Sequence, residues 1–99
     1  MHELQRLLDA RHPDMVVFSE GNALPPVDLL ELCIAKSIPF CTITQANKEA
    51  VWYSDELARR YRRALAEARR CFFVSQANRI LSEKQIGDVY RNAEIVRNP

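Results

Sequence analysis

The stretch Cys71-Phe72-Phe73-Val74-Ser75-Gln76-Ala77-Asn78 is an apolar run that stops at a hydroxyl and opens into helix-forming residues. Four apolar residues without alternation suit a strand covered on both faces. A serine at its end is placed to cap a following helix. The same phrase stands at two earlier positions. Met15-Val16-Val17-Phe18 runs into Ser19-Glu20-Gly21-Asn22, and Phe40 to Ile43 runs into Thr44-Gln45-Ala46-Asn47. Each copy reads hydroxyl, Glu or Gln, small residue, Asn. The spacing from copy to copy holds one strand and one crossover helix, as parallel pairing requires.

The segments between the copies fit that scheme. Leu4, Leu7 and Leu8 predict a helix over His2 to Ala10. Arg11-His12-Pro13-Asp14 ends it, because the residue before a proline is biased away from helix. A loop over Glu20 to Pro26 leads through Pro25-Pro26 into a helix over Val27 to Lys36, where a proline at the entrance loses no hydrogen bond. Ser37-Ile38-Pro39 precedes the second strand, Phe40 to Ile43. Residues 45 to 53 form the longest loop. Ser54 then reads as an N-cap with Asp55 and Glu56 in the first turn, and Leu57, Tyr61, Leu65 and Ala68 form the buried stripe of the helix. After Cys71 to Val74, Ser75 caps a further helix that ends at Gly87. Ala93 to Arg97 is the fourth strand.

This αβαβαβαβ order predicts an α/β fold with a parallel sheet of about four strands and crossover helices. Right-handed crossovers between strands laid in sequence order put all three connecting helices on one face. Only residues 2 to 10 then remain for the other. One edge strand and part of one sheet face are therefore expected to be open, which favours self-association or a partner and a marginally stable or oligomeric chain.

Composition narrows the function. With 99 residues, 47% hydrophobic and 27% charged, the chain is globular rather than disordered. The net charge of +1 creates no global field to attract nucleic acid. No apolar run approaches the ~20 residues of a transmembrane span, and Met1-His2-Glu3-Leu4 lacks the basic and apolar regions of a signal peptide. Cys33, Cys41 and Cys71 form no CxxC pair and read as core thiols of a reducing, cytoplasmic compartment. Gly21 and Gly87 are too few for a P-loop or GxGxxG turn. His2 and His12 both precede the first strand, away from the strand ends where such sheets bind ligands. No metal site is expected. Ser19, Thr44 and Ser75 have neither a GxSxG turn nor a histidine placed as base, so helix or loop capping is the better account of each.

The strand ends carry the remaining chemistry. Glu20, the carboxylate directly after a strand, fits a general base, a hydroxyl-binding group or a solvated loop residue. Gln45, Asn47, Gln76 and Asn78 would line one rim with amides, which both donate and accept and so suit uncharged polyols. Trp52 and Tyr53 follow in the loop, either as a platform for a sugar ring or as packing against the next helix. Arg59, Arg60, Arg62, Arg63, Arg69 and Arg70 lie largely off the apolar stripe. With Glu56 and Glu67 interleaved, they read as a solvated face before one that meets a membrane surface, an anionic partner or nucleic acid.

A resemblance adds to this. Arg70 to Leu81, then Gly87, then Glu94-Ile95-Val96-Arg97-Asn98-Pro99 resembles the end of the N-terminal domain in family-four glycosyltransferases of the GT-B fold. Pro13-Asp14-Met15-Val16-Val17 and Ile38-Pro39-Phe40 are similar to two of that family's strand approaches. The resemblance implies that residues 1–99 are a single partial Rossmann-like domain, the second half of the acceptor-side domain of an enzyme that moves a sugar from a nucleotide-sugar donor to an acceptor. It places Ser19, Glu20, Asn22, Thr44, Gln45, Asn47 and Trp52 along the acceptor cleft. Ser75 and Asn98 match the family's Val-Ser serine and domain-ending Asn. The family's glycine-rich turn and its C-terminal donor domain have no counterpart here. No catalytic residue is therefore assigned, no cofactor is expected beyond the donor as co-substrate, and the isolated chain is expected to be inactive. A compact Rossmann-like binding or interaction module is the alternative.

Overall fold

Each strand pairs in parallel with the next strand in the chain. The computed structural model describes residues 2–21, 23–48 and 51–97. Its elements are α1 (His2–Arg11), β1 (Val16–Glu20), α2 (Val27–Ala35), β2 (Phe40–Thr44), α3 (Asp55–Ala66), β3 (Arg70–Phe73), α4 (Gln76–Ile86) and β4 (Ala93–Ile95). The sheet order is β1-β2-β3-β4. Phe18 stands beside Thr42, Thr42 beside Cys71, and Cys71 beside Ala93. The fold is α/β and Rossmann-like, as expected.

Side chains alternate across a strand, and this register puts Phe18, Phe40, Cys71 and Phe73 on one side. There they are buried in a core with Leu30, Cys33, Tyr61, Leu65 and Ile86. The helices form one layer over that side, α2 against α3 and α3 against α4. Leu8 of α1 joins the same core, and Asp9 pairs with Lys36 just beyond α2. So α1 does not cover the second side. Val17 is 55% exposed there, and Cys41, Ile43 and Phe72 are only partly buried. Two strand expectations need correction. Runs read as covered on both faces are covered on one, because sequential order sends every crossover the same way. Cys41, read as a core thiol, lies on the open side, whereas Cys33 and Cys71 are fully buried.

The first strand also runs later than expected. Ser19 and Glu20 belong to β1, since pairing with β2 continues until the Glu20 carbonyl accepts the Gln45 N–H at 3.2 Å. The arginine face needs a similar revision. Arg60 reaches across to α2 and donates to Glu31 through Nε at 3.1 Å and to Asp28. These two carboxylates, Glu31 first, push its pKa up. Arg62 donates to the Ile86 carbonyl at the end of α4, 2.6 Å away. A cation there complements the helix dipole. These two side chains fasten α3 to its neighbours on either hand.

The helix ends explain their own boundaries. Ser54 and Ser75 each accept a backbone N–H three residues on, from Leu57 and Asn78, at 3.1 Å. Gly87 sits at φ 77 and donates to the Glu83 carbonyl. Two helices stop at a left-handed residue that is not glycine. His12 after α1 has φ 44 and Ser37 after α2 has φ 56, conformations costly for a residue with a Cβ. Ser37→Gly is expected to raise stability by about 0.5–1 kcal/mol, and Gly87→Ala to lower it by about 1 kcal/mol or more. In the second case the new methyl would also crowd the Arg62 guanidinium at 3.3 Å. Urea midpoints of the two variants check this; shifts of equal sign would contradict it.

Candidate functional site

Parallel sheets bind ligands at the carboxyl ends of their strands, which here are Glu20, Thr44, Phe73 and Ile95. Register places Glu20 beside Thr44 and Ser19 beside Ile43. Because side chains alternate, these strand-end residues divide between the two sides of the sheet. Ser19 and Gln45 are exposed on the open side, where the Gln45 amide donates to Ser19 Oγ at 3.1 Å. Glu20 and Thr44 take the helix side. Glu20 is half-buried, with no side-chain partner among the described residues. Thr44 is 0% exposed and its hydroxyl finds no partner among the described residues. It is a buried side chain, not a rim group.

Asn47 is also turned inward. Its amide donates to Gln85 Oε1 at 2.8 Å, and the Gln85 amide donates in turn to the Lys48 and Val51 carbonyls at 2.9 and 2.7 Å. Gln85 is 4% exposed. One glutamine of α4 thus holds the described part of the 45–53 loop. Sequence reasoning did not single it out. The available signal was a polar row, Asn78, Ser82 and Gln85, at helical spacing on a helix that otherwise buries Ile86. Ser82 is likewise occupied, sharing a 2.7 Å hydrogen bond with Tyr90.

The loop splits its two aromatic residues. Trp52 is 63% exposed. Tyr53 packs on Tyr61 with ring centroids 4.9 Å apart, and the Tyr61 hydroxyl donates to the Pro25 carbonyl at 2.7 Å. Burial, then the neighbouring Tyr53, pushes the Tyr61 pKa up to about 12. Packing therefore accounts for Tyr53, while Trp52 is left as a free aromatic face. Asn22, the remaining predicted site residue, lies outside the described residues.

The three copies of the repeated phrase are not structurally equivalent. Ser19 lies inside β1, Thr44 ends β2, and Ser75 stands two residues beyond β3 as the cap of α4. Helix capping accounts for Ser75 but not for Ser19 or Thr44. The next helix start is far from both: α2 begins after Pro26 with no side-chain cap, and α3 uses Ser54. Burial pushes the Cys71 thiol up to about 11 and raises that of Cys33, so neither is activated as a nucleophile.

A hollow of about 160 Å³ lies away from this rim, bounded by Arg62, Leu65, Ile86, Tyr90 and Asn92. Among the described residues no cluster of three or more His, Cys, Asp or Glu side chains could hold a metal ion, and no helix is long and apolar enough to cross a membrane. No protein-family model, no curated protein and no solved structure matches the chain.

Gln85→Leu removes three hydrogen bonds and strands the Lys48 and Val51 carbonyls. It is expected to cost about 1–3 kcal/mol and to speed proteolysis after Lys48. Denaturation and limited trypsin digestion check this; a variant as stable and as resistant as the parent would contradict the clamp.

Proposed function

We propose that the chain forms part of the acceptor-side domain of a glycosyltransferase, holding a hydroxyl-bearing acceptor while a sugar is transferred from a nucleotide-sugar donor. The observation that carries the reading is the segment from Cys71 to Val96, whose wording resembles family-four glycosyltransferases. It is built as strand β3, a Ser75-capped helix, the left-handed Gly87 and strand β4, the order of elements that the resemblance implies. The polar and aromatic groups that remain accessible at the strand ends add support.

Within this reading the acceptor contacts narrow to Ser19, Glu20, Gln45 and Trp52. The Glu20 carboxylate would accept hydrogen bonds from acceptor hydroxyls. The Ser19–Gln45 pair offers both a donor and an acceptor to an uncharged polyol. The Trp52 ring would cover the apolar face of a sugar. Thr44 and Asn47 contribute by shaping the rim, not by touching the acceptor. The donor would bind mostly outside this chain, and its departing diphosphate would be stabilised there, so no residue here is assigned to the chemical step.

A non-enzymatic binding module is the second reading. The inward turn of Asn47 and Thr44, which leaves few polar groups at the rim, favours it.

Trp52 is the sole tryptophan, so its fluorescence reports on the rim directly. Titration with a panel of neutral monosaccharides, disaccharides and polyols is expected to give a saturable change with at least one of them, with Kd on the order of millimolar. Glu20→Gln is expected to weaken it about fivefold, as loss of a charged hydrogen-bond acceptor does. The 99-residue chain alone is expected not to turn over. Absence of a saturable response across the panel would contradict the acceptor role, and sugar transfer by the isolated chain would contradict the division of labour.

A further inference from the structure

Alternate residues on the open side of the sheet form two rows across the strands. One is Val17, Cys41 and Arg70; the other is Ser19, Ile43, Phe72 and Glu94. The middle is apolar, and Met15 and Val96 extend it at 42% and 47% exposure. Ser19 is already occupied by Gln45. The remaining polar groups are one cation and one anion. Arg70 Nε lies 3.9 Å from Glu94 Oε2, with the two side chains 59% and 58% exposed. So loose and solvated a pair contributes little within one copy and can re-pair at no great loss.

Two further observations concern what such a face fits. Purely parallel sheets occur almost only with both faces covered. The backbone measures 38 × 35 × 22 Å, a slab one sheet and one helix layer thick. The face is apolar at its centre, balanced in charge and complementary to itself. A two-fold axis crossing the strands between the two rows would lay Cys41 over Ile43 of a second copy. The same axis would bring Arg70 beside Phe72 and Glu94 of that copy.

We propose that the open face is an isologous dimer interface, sheet against sheet, with a second copy of this chain as its occupant. Packing at the ~10 Å separation of stacked sheets covers Val17, Ile43 and Phe72 of both copies. It also exchanges the two internal Arg70–Glu94 pairs for two pairs between copies. The proposal does not rest on the acceptor reading and competes with it for one group: Ser19 lies in a covered row, so the dimer takes the Ser19–Gln45 pair and leaves Glu20 and Trp52 to an acceptor.

Sedimentation of the 99-residue chain at about 50 µM, a concentration that reveals micromolar affinity, is expected to give twice the monomer mass of 11.4 kDa. Val17→Lys changes a side chain that is 55% exposed, so the monomer keeps its fold by circular dichroism while the dimer Kd rises at least about tenfold. Arg70→Glu and Glu94→Arg each weaken self-association. An equimolar mixture of the two restores it, because every charge then meets its opposite across the interface. A wild-type monomer at that concentration overturns the proposal and leaves the face to a partner of another kind. So does a dimer indifferent to Val17→Lys, or a charge-reversed pair that mixing fails to restore.

Discussion

The parallel ladder that sets Phe18, Thr42, Cys71 and Ala93 side by side decides which side chains meet the helices. The strands follow one another in space in the order they follow in the chain, so each crossover lands on the same side as the one before. Phe40, Phe73, Leu30 and Leu65 can then close into a single core. The opposite side, with Val17 and Phe72, receives no layer from the described residues. The division of the strand ends has the same origin. Ser19 and Gln45 go to the open side and Glu20 and Thr44 to the helix side, because neighbours in a strand point opposite ways.

A helix layer over one face must be held by few contacts, and much of the chain's polar chemistry serves that purpose. Arg60 ties α3 to α2 through Glu31, and Arg62 ties α3 to the end of α4. Asn92 donates to the Leu65 and Ala68 carbonyls at 2.9 and 2.8 Å, tying the start of β4 to the end of α3. Gln85 does the same for the loop after β2. Arg60 acts through carboxylates, whereas Arg62, Asn92 and Gln85 are structural because each donates to backbone carbonyls, bonds whose net worth is about 1 kcal/mol each. Among the described residues at the ends of β1 and β2, what is left for a ligand is correspondingly small: one carboxylate, one hydroxyl–amide pair and one exposed indole.

Local signals made the architecture legible. Apolar runs, the prolines before α2, the Ser54 and Ser75 caps and Gly87 act within a few residues, and they marked eight elements in the right order. The open sheet face was legible too, because handedness is a rule of connection and not of composition. The candidate site was read less well. The repeated phrase suggests three equivalent strand ends, yet β1 runs on through Ser19 and Glu20 whereas β3 stops before Val74. Strand length depends on pairing with a neighbour, which a single stretch does not encode. Nothing near Asn47 in the chain announces Gln85, 38 residues away. The fates of Arg60 and Arg62 likewise depend on how three helices pack. Long-range contacts decided which polar groups stayed free.

The account rests on a sheet that is dry on one side and open on the other, and the three cysteines sample both. Cys33 and Cys71 belong to the core, and Cys41 lies on the open side of the central strand β2. Native-state labelling with a small thiol reagent, resolved by peptide mass spectrometry in solution dilute enough to keep copies apart, measures this directly. The account predicts rapid modification of Cys41 alone, with Cys33 and Cys71 reacting only after unfolding. Equal protection of all three, or reaction of Cys71 as fast as Cys41, would contradict it.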